Sequence, residues 1–135
     1  MKPIRTHRVT FDLSDPAGVV FYPQYFLLAH QSLECVLPEI GISNELWFQS
    51  PEYIVPIVNA QGDFLAPLRH GDEFDISVRT SRIGESSVTF IFEFTRNGDC
   101  CARVNSTHVF VDRENNMKIS IPAGIREHLN SLQTL

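Results

Sequence analysis

Basic charge is scarce in this chain. Lysine and arginine number 11 against 16 acidic residues, a formal net charge of -5 at pH 7. General nucleic-acid binding draws its affinity from a basic field that releases counterions, so that class of function is excluded. A ligand with a few phosphates remains open, because a handful of local arginines would hold it. Cysteine is scarce too: Cys35, Cys100 and Cys101 are an odd number, and the adjacent pair makes a poor disulfide framework. Reduced thiols are the simpler reading. No Cys/His spacing suggests zinc, and His7, His108 and His128 are scattered. No metal and no organic cofactor is expected.

Long apolar runs are missing as well. Met1 to Asp15 alternates polar and apolar residues and has no signal-peptide core. The most apolar stretch, Val19 to Ala29, is interrupted by Pro23 and Gln24 and is too short to span a bilayer. No membrane partner and a cytoplasmic location are the default expectations. Gly-x-Gly-x-x-Gly, a phosphate-binding loop and a Gly-x-Ser-x-Gly elbow are all absent, which leaves serine-triad chemistry unsupported. No repeat, linker or low-complexity segment divides the chain.

What is present is a core-forming sequence. The 135 residues suit one domain, 1–135, and 43% are hydrophobic. Ten phenylalanines with many Val and Ile lean toward sheet. Ile4 to Leu13 reads as a strand. Ser14 to Gly18 is turn chemistry. Pro23 suits the first position of a helix, where its missing N–H costs nothing. From there Phe26, Ala29, Leu33, Val36 and Leu37 share one face, Leu27 and Leu28 widen it, and Pro38 with Gly41 ends the helix. A helix apolar on more than one side is expected to be enclosed.

Asn44 to Glu52 suggests a loop with a helical turn near Leu46-Trp47. Tyr53 to Phe64 reads as a strand, with Pro56 marking an edge or a bulge. Phe74, Ile76 and Val78 alternate, as do Val88, Phe90, Phe92 and Phe94, and a third run spans Cys100 to Val111. Asn97-Gly98 is a strong hairpin signal between the last two. Pro122 opens a short helix through Leu129, with Ser120 a candidate cap. One helix cannot cover both faces of such a sheet, so the sheet is expected to wrap around it, an α+β arrangement.

Within this order one stretch carries chemistry: Asp15-Pro16-Ala17-Gly18-Val19-Val20-Phe21-Tyr22-Pro23. A carboxylate in a Pro/Gly turn faces a helix start. The helix end offers unpaired N–H groups to a developing negative charge, and the carboxylate offers a base or nucleophile. Taken alone, Asp15 is an ordinary turn residue. His30 and Glu34, at i and i+4, share a helix face and either line an acyl pocket or form a satisfied polar pair. Arg82, Ser86 and Ser87 flank the Gly84 turn and Arg69-His70 flanks another; each is a phosphate contact or a solvated hairpin end.

The motif, the wrapped helix and the antiparallel strands together resemble the hotdog-fold acyl-CoA thioesterases, most of all the 4-hydroxybenzoyl-CoA thioesterase group. Val55-Pro56-Ile57-Val58-Asn59-Ala60, the Phe64 to Asp72 turn and Ile121-Pro122-Ala123-Gly124 add to the likeness. The resemblance implies a hotdog fold: about five antiparallel strands wrapped around one long helix. It implies hydrolysis of an aromatic acyl-CoA without a cofactor. Asp15 would drive the reaction and the backbone N–H of Tyr22 would polarise the thioester carbonyl. Gly18, Val19, Phe21, His30, Glu34, Val58, Arg82 and Ser86 would contact the substrate. The site would lie between subunits of a homodimer or homotetramer. 1,4-Dihydroxy-2-naphthoyl-CoA and short- or medium-chain acyl-CoAs are the alternative substrates, Glu34 the reserve catalytic carboxylate, and a non-catalytic acyl-CoA or acyl-carrier binding protein the alternative of another class. A dehydratase is disfavoured for want of a His-containing motif.

Overall fold

The computed structural model describes residues 3–132. In chain order the elements are β1 (Pro3–Arg8), a 3-10 turn (Phe11–Leu13), α1 (Tyr22–Glu39), α2 (Asn44–Phe48), β2 (Tyr53–Ile54), β3 (Ile57–Phe64), β4 (Glu73–Ile83), β5 (Ser87–Arg96), β6 (Asp99–Val109), β7 (Val111–Asp112) and α3 (Ala123–Asn130). Five strands form one sheet in the order β1-β4-β5-β6-β3, antiparallel at every pairing. The β2–β7 pair stands apart from it.

The period-two pattern sets which face meets the helix. On β5, Val88, Phe90, Phe92 and Phe94 are buried. They stand in register with Ile76, Val78 and Thr80 of β4 and with Ala102, Val104, Ser106 and His108 of β6. Phe90, Phe92 and Phe94 are each fully buried, a hydrophobic contribution of about 1.5–3 kcal/mol per ring. Asn97 (φ 52°) and Gly98 (φ 84°) are both left-handed, the backbone that a two-residue hairpin between twisted strands requires.

Helix α1 lies on this face and buries Tyr25, Leu28, Ala29, Ser32, Leu33, Val36 and Leu37. The Ser32 hydroxyl donates to Leu28 O at 2.8 Å, so its burial leaves no orphan group. The helix is less enclosed than its composition suggests: Leu27 is 49% exposed, because the sheet curls over one side only. Pro38 also does not stop it. Pro38 sits in the last turn, and Gly41 (φ 94°) terminates the helix as Ile42 N–H returns to Leu37 O at 2.9 Å.

Four other boundaries differ from the sequence reading. The first strand ends at Arg8, not Leu13: Val9 N–H bonds Asp72 O, and the chain then tightens into the 3-10 turn and leaves Phe11 83% exposed. Tyr53 to Phe64 is two strands, because Val55-Pro56 switches pairing from β7 to β6. The run from Cys100 likewise divides, at Phe110, between β6 and β7. Ser120 does not cap α3: Pro122 is the N-cap residue, and Ser120 Oγ donates to Glu85 instead. No helix among the described residues is long and apolar enough to cross a membrane.

Candidate active site

The loop from Ser14 to Phe21 is built as a clasp. Ser14 bridges Val20, and Asp15 N–H bonds Val19 O at 2.8 Å. Gly18 closes the turn with φ 79°, and its N–H bonds Asp15 O at 2.9 Å. A residue with a Cβ is strained in that conformation, which accounts for glycine there. The Asp15 side chain folds back on the turn: Oδ1 accepts from Ala17 N–H at 2.8 Å and from Val19 N–H at 3.4 Å. Oδ2 has no hydrogen bond among the described residues. The carboxylate is therefore fixed by one oxygen and free at the other. Asp15 is half-buried and shares an open depression with Phe11, Ser14, Pro16, Gly18 and His70.

The same loop delivers the helix end. Phe21 N–H is taken by Leu13 O at 2.8 Å and Gln24 N–H by Phe21 O at 2.9 Å. Pro23 has no N–H. Between them the Tyr22 amide has no acceptor among the described residues. A free N–H at the positive end of an 18-residue helix is suited to an anionic oxygen. The Phe21 and Tyr22 side chains are exposed and meet edge to face at 5.5 Å.

A second loop holds the clasp in place. Val19 bridges Arg69, Val20 N–H bonds Leu68 O at 2.9 Å and His70 N–H bonds Gly18 O at 3.2 Å. That loop is pinned by Asp72, whose Oδ2 accepts from Arg69 N–H at 2.8 Å and from Arg96 at 2.7 Å. The Arg69 amide and the Arg96 guanidinium together hold the Asp72 carboxyl below its ordinary range.

Further along α1 a narrow cavity of about 70 Å³ opens between helix and sheet. Phe26, Ala29, His30 and Leu33 line it from the helix, Ile57 and Ala60 from β3, and Phe92, Val104, Ser106 and His108 from β5 and β6. His30 also bonds Glu34 at 2.8 Å and packs against Phe48 at 5.7 Å. Phe26 leans across Gly62, where an added Cβ would lie 3.0 Å from its ring and 2.9 Å from Phe64.

The structure thus brings Asp15, Gly18, Val19, Phe21 and the Tyr22 amide together in one loop. His30 lies about 12 Å down the helix axis from Tyr22 and lines the cavity; Glu34 lies a turn beyond and does not. Val58 sits at the bulge of β3, 59% exposed, so its neighbours Ile57 and Ala60 face the cavity in its place. Arg82 is at the far end of β4, about 30 Å along the strand from the Asp15 loop, and Ser86 lies in the turn beyond it, so one chain does not bring them to the loop. Cys101 is buried, and burial pushes the Cys100 thiol up, so neither is disposed to act as a nucleophile. Among the described residues no three or more His, Cys, Asp or Glu side chains converge.

Sequence reasoning passed over Phe26, Ile57, Ala60, Ser106 and His108. The signal for the last two was available. They share the parity of Ala102 and Val104 on β6, so they had to face the core.

Comparison with known proteins narrows the class. Residues 9–129 match the family described as the thioesterase-like superfamily. The 1,4-dihydroxy-2-naphthoyl-CoA hydrolase of Nostoc punctiforme is 30% identical over 123 residues, which cover 91% of this chain and 83% of that one. The structure of a gentisyl-coenzyme A thioesterase superposes with a TM-score of 0.79 at 26% identity, covering 93% of this chain and 98% of the other. The structure of a 1,4-dihydroxy-2-naphthoyl-CoA thioesterase from Synechocystis shares the fold with a TM-score of 0.85 at 22% identity, covering 95% of each chain. Fold and relatives together define an acyl-CoA thioesterase of the hotdog class. The chain belongs to the thioesterase-like superfamily.

Proposed function

We propose that this protein hydrolyses a hydroxylated aromatic acyl-CoA to the free acid and CoA, with 1,4-dihydroxy-2-naphthoyl-CoA placed ahead of 4-hydroxybenzoyl-CoA. The order reverses the one suggested by sequence likeness, because the curated relative with 91% coverage is a 1,4-dihydroxy-2-naphthoyl-CoA hydrolase. The observation that carries the reading is the pairing, in one clasped loop, of a carboxylate with a free Oδ2 and an unengaged Tyr22 amide at a helix start.

In this reading the thioester carbonyl oxygen rests on the Tyr22 N–H. As the carbonyl carbon is attacked, the oxygen gains charge, and the helix end stabilises it. One such donor is worth about 2.7–4 kcal/mol in the transition state. Asp15 either attacks the carbonyl carbon itself, giving a mixed anhydride that water then hydrolyses to the free acid, or takes a proton from the attacking water and passes it to the departing sulfur. The C–S bond breaks and CoA leaves, as its thiolate in the first course and as its thiol in the second. These steps call on no metal or organic cofactor. The Arg69-His70 turn adjoins Asp15 and would meet the CoA moiety, whereas Arg82 and Ser86 would have to come from a second subunit.

The free edge of β3 supports such a subunit. Its whole length is exposed or nearly so, its outer N–H and C=O groups face away from β6, and Ile57, Val58 and Phe64 stand uncovered. A bare apolar edge is a template for pairing with another strand. We place a second copy of the chain there, giving a homodimer; a homotetramer is the larger assembly the resemblance allows.

The test is thiol release from a panel of aromatic and aliphatic acyl-CoAs by wild type and Asp15→Asn. Hydrolysis of the hydroxylated aromatic substrates is expected, with kcat reduced about 10²–10⁴-fold in the variant. Turnover that the variant retains would sink the mechanism. Binding without turnover by wild type would favour the non-catalytic alternative.

A further inference from the structure

One charged side chain on the sheet stands where the pattern calls for an apolar one. Arg96, the last residue of β5, continues the parity of Phe90, Phe92 and Phe94, which are buried against the helix. Its Nη1 donates to the Pro67 carbonyl at 3.0 Å and to Asp72 Oδ2 at 2.7 Å. One guanidinium nitrogen therefore grips both ends of the six-residue loop from Pro67 to Asp72. It does so from the end of a strand whose Phe94 is fully buried, so the grip has a rigid base. Backbone bonds to Val9 and Cys101 hold the flanks of the loop, at Gly71, Asp72, Leu65 and Ala66. Among the described residues only Arg96 bonds the Pro67 carbonyl.

The gripped loop carries the bonds that shape the clasp. Asp72 Oδ2 also accepts from Arg69 N–H at 2.8 Å, and Arg69 bridges Val19. Val19 in turn gives its carbonyl to Asp15 N–H at 2.8 Å and its own N–H to Asp15 Oδ1 at 3.4 Å. In the same loop Leu68, fully buried, accepts Val20 N–H at 2.9 Å, just before the helix start, and His70 N–H reaches Gly18 O at 3.2 Å. The Asp15 carboxylate and the approach to the Tyr22 amide are thus both set by a loop whose two ends meet at Arg96.

We propose that Arg96, acting through Asp72 and the loop they close, is a positioning residue for the reaction, setting the spacing between the Asp15 carboxylate and the Tyr22 amide. The inference rests on the thioesterase reading above. Arg96 has no hydrogen bond to the clasp itself, so its loss leaves the groups that hold substrate in place. What it releases is the register of Val19 and Val20 against the helix end. The carboxylate and the amide must meet one carbonyl together, and a displacement of about 1 Å in such a pair costs on the order of 10²-fold in rate. Global stability has little stake in the contact, because the Arg96–Asp72 pair is about a third exposed (31% and 29%).

Kinetics and hydrogen exchange on the full chain test it. With 1,4-dihydroxy-2-naphthoyl-CoA and 4-hydroxybenzoyl-CoA as substrates, Arg96→Gln and Asp72→Asn should each lower kcat about 10–100-fold and leave KM within about twofold. The double variant should be no slower than the slower single one, since both changes open the same loop. Because one nitrogen makes both contacts, Arg96→Lys should recover most of kcat. In Arg96→Gln, peptides spanning 14–22 and 65–72 should exchange faster as the Val20 and His70 amides are released, while β5 and β6 keep their protection and the urea midpoint moves little. An unchanged kcat, a rise in KM in place of the fall in kcat, no recovery by lysine, or protection lost across the whole sheet overturns the proposal. A wild type that hydrolyses no acyl-CoA, with exchange in the two loops released as expected, overturns the thioesterase reading and leaves the hold of Arg96 on the clasp standing.

Discussion

Replacing His108 with glutamine removes a titrating group from the core, and the structure sets how much stability should respond. A histidine outside the fold takes its proton near 6.5; burial pushes His108 down to about 4, the nearby His30 adding to the effect. The folded pKa is the lower of the two, so the unfolded chain binds the proton first as pH falls. Stability from this group is complete above 6.5 and drains away between 6.5 and about 4. The full loss is about 3 kcal/mol, of which roughly 2.5 kcal/mol falls between pH 7 and pH 4.5. The assay is urea unfolding at fixed protein concentration across that range for wild type and His108→Gln. Carboxylates and the other histidines titrate in both proteins and cancel in the difference. The wild type should lose about 2.5 kcal/mol more than the variant on going from pH 7 to pH 4.5. Equal losses in the two proteins, or a wild type that resists acid better, would refute the view that His108 is held neutral by an apolar wall with one nitrogen unpaired.

Two further outcomes follow from backbone and edge geometry. Gly41→Ala should lower stability by about 1–2 kcal/mol in the same unfolding assay, because φ is 94° and the added Cβ would stand 2.7 Å from the His128 ring; an unchanged midpoint would show that α3 yields without cost. Val58→Glu places a charge on the free edge of β3 and should shift the protein to a monomer in sedimentation at micromolar concentration; a variant that stays assembled would move the interface elsewhere on the surface.

Much of the fold was legible in the sequence because its signals are local. Period-two alternation gave β4 and β5, since a strand side chain's face depends only on its neighbours' parity. Asn97-Gly98 gave the hairpin because few other residues adopt two successive positive φ values. The helix from Pro23 was visible in its spacing, and the split of Tyr53 to Phe64 was foreshadowed by Pro56. The errors also have local causes. Phe11 and Leu13 look like strand positions until the chain must turn to carry Asp15 back beside Val19. Pro38 looks like a stop because its missing N–H costs one helical bond, yet at the last turn that loss is tolerable.

The sequence by itself determined the identity of the clasp: an aspartate, a glycine able to take positive φ, and a proline at the helix start. Those are properties of single residues and their immediate neighbours. Only the tertiary structure decided what the clasp does with its hydrogen bonds. Leu13, Leu68 and Gly18 carbonyls engage the amides of Phe21, Val20 and His70, and it is by this exclusion that Tyr22 is left free. The partners are 8 to 52 residues apart in sequence, and no periodicity links them. The same holds for the cavity. Phe26, Ala60 and His108 meet because β6 pairs β3 under α1, and long-range pairing, not any local pattern, sets that meeting.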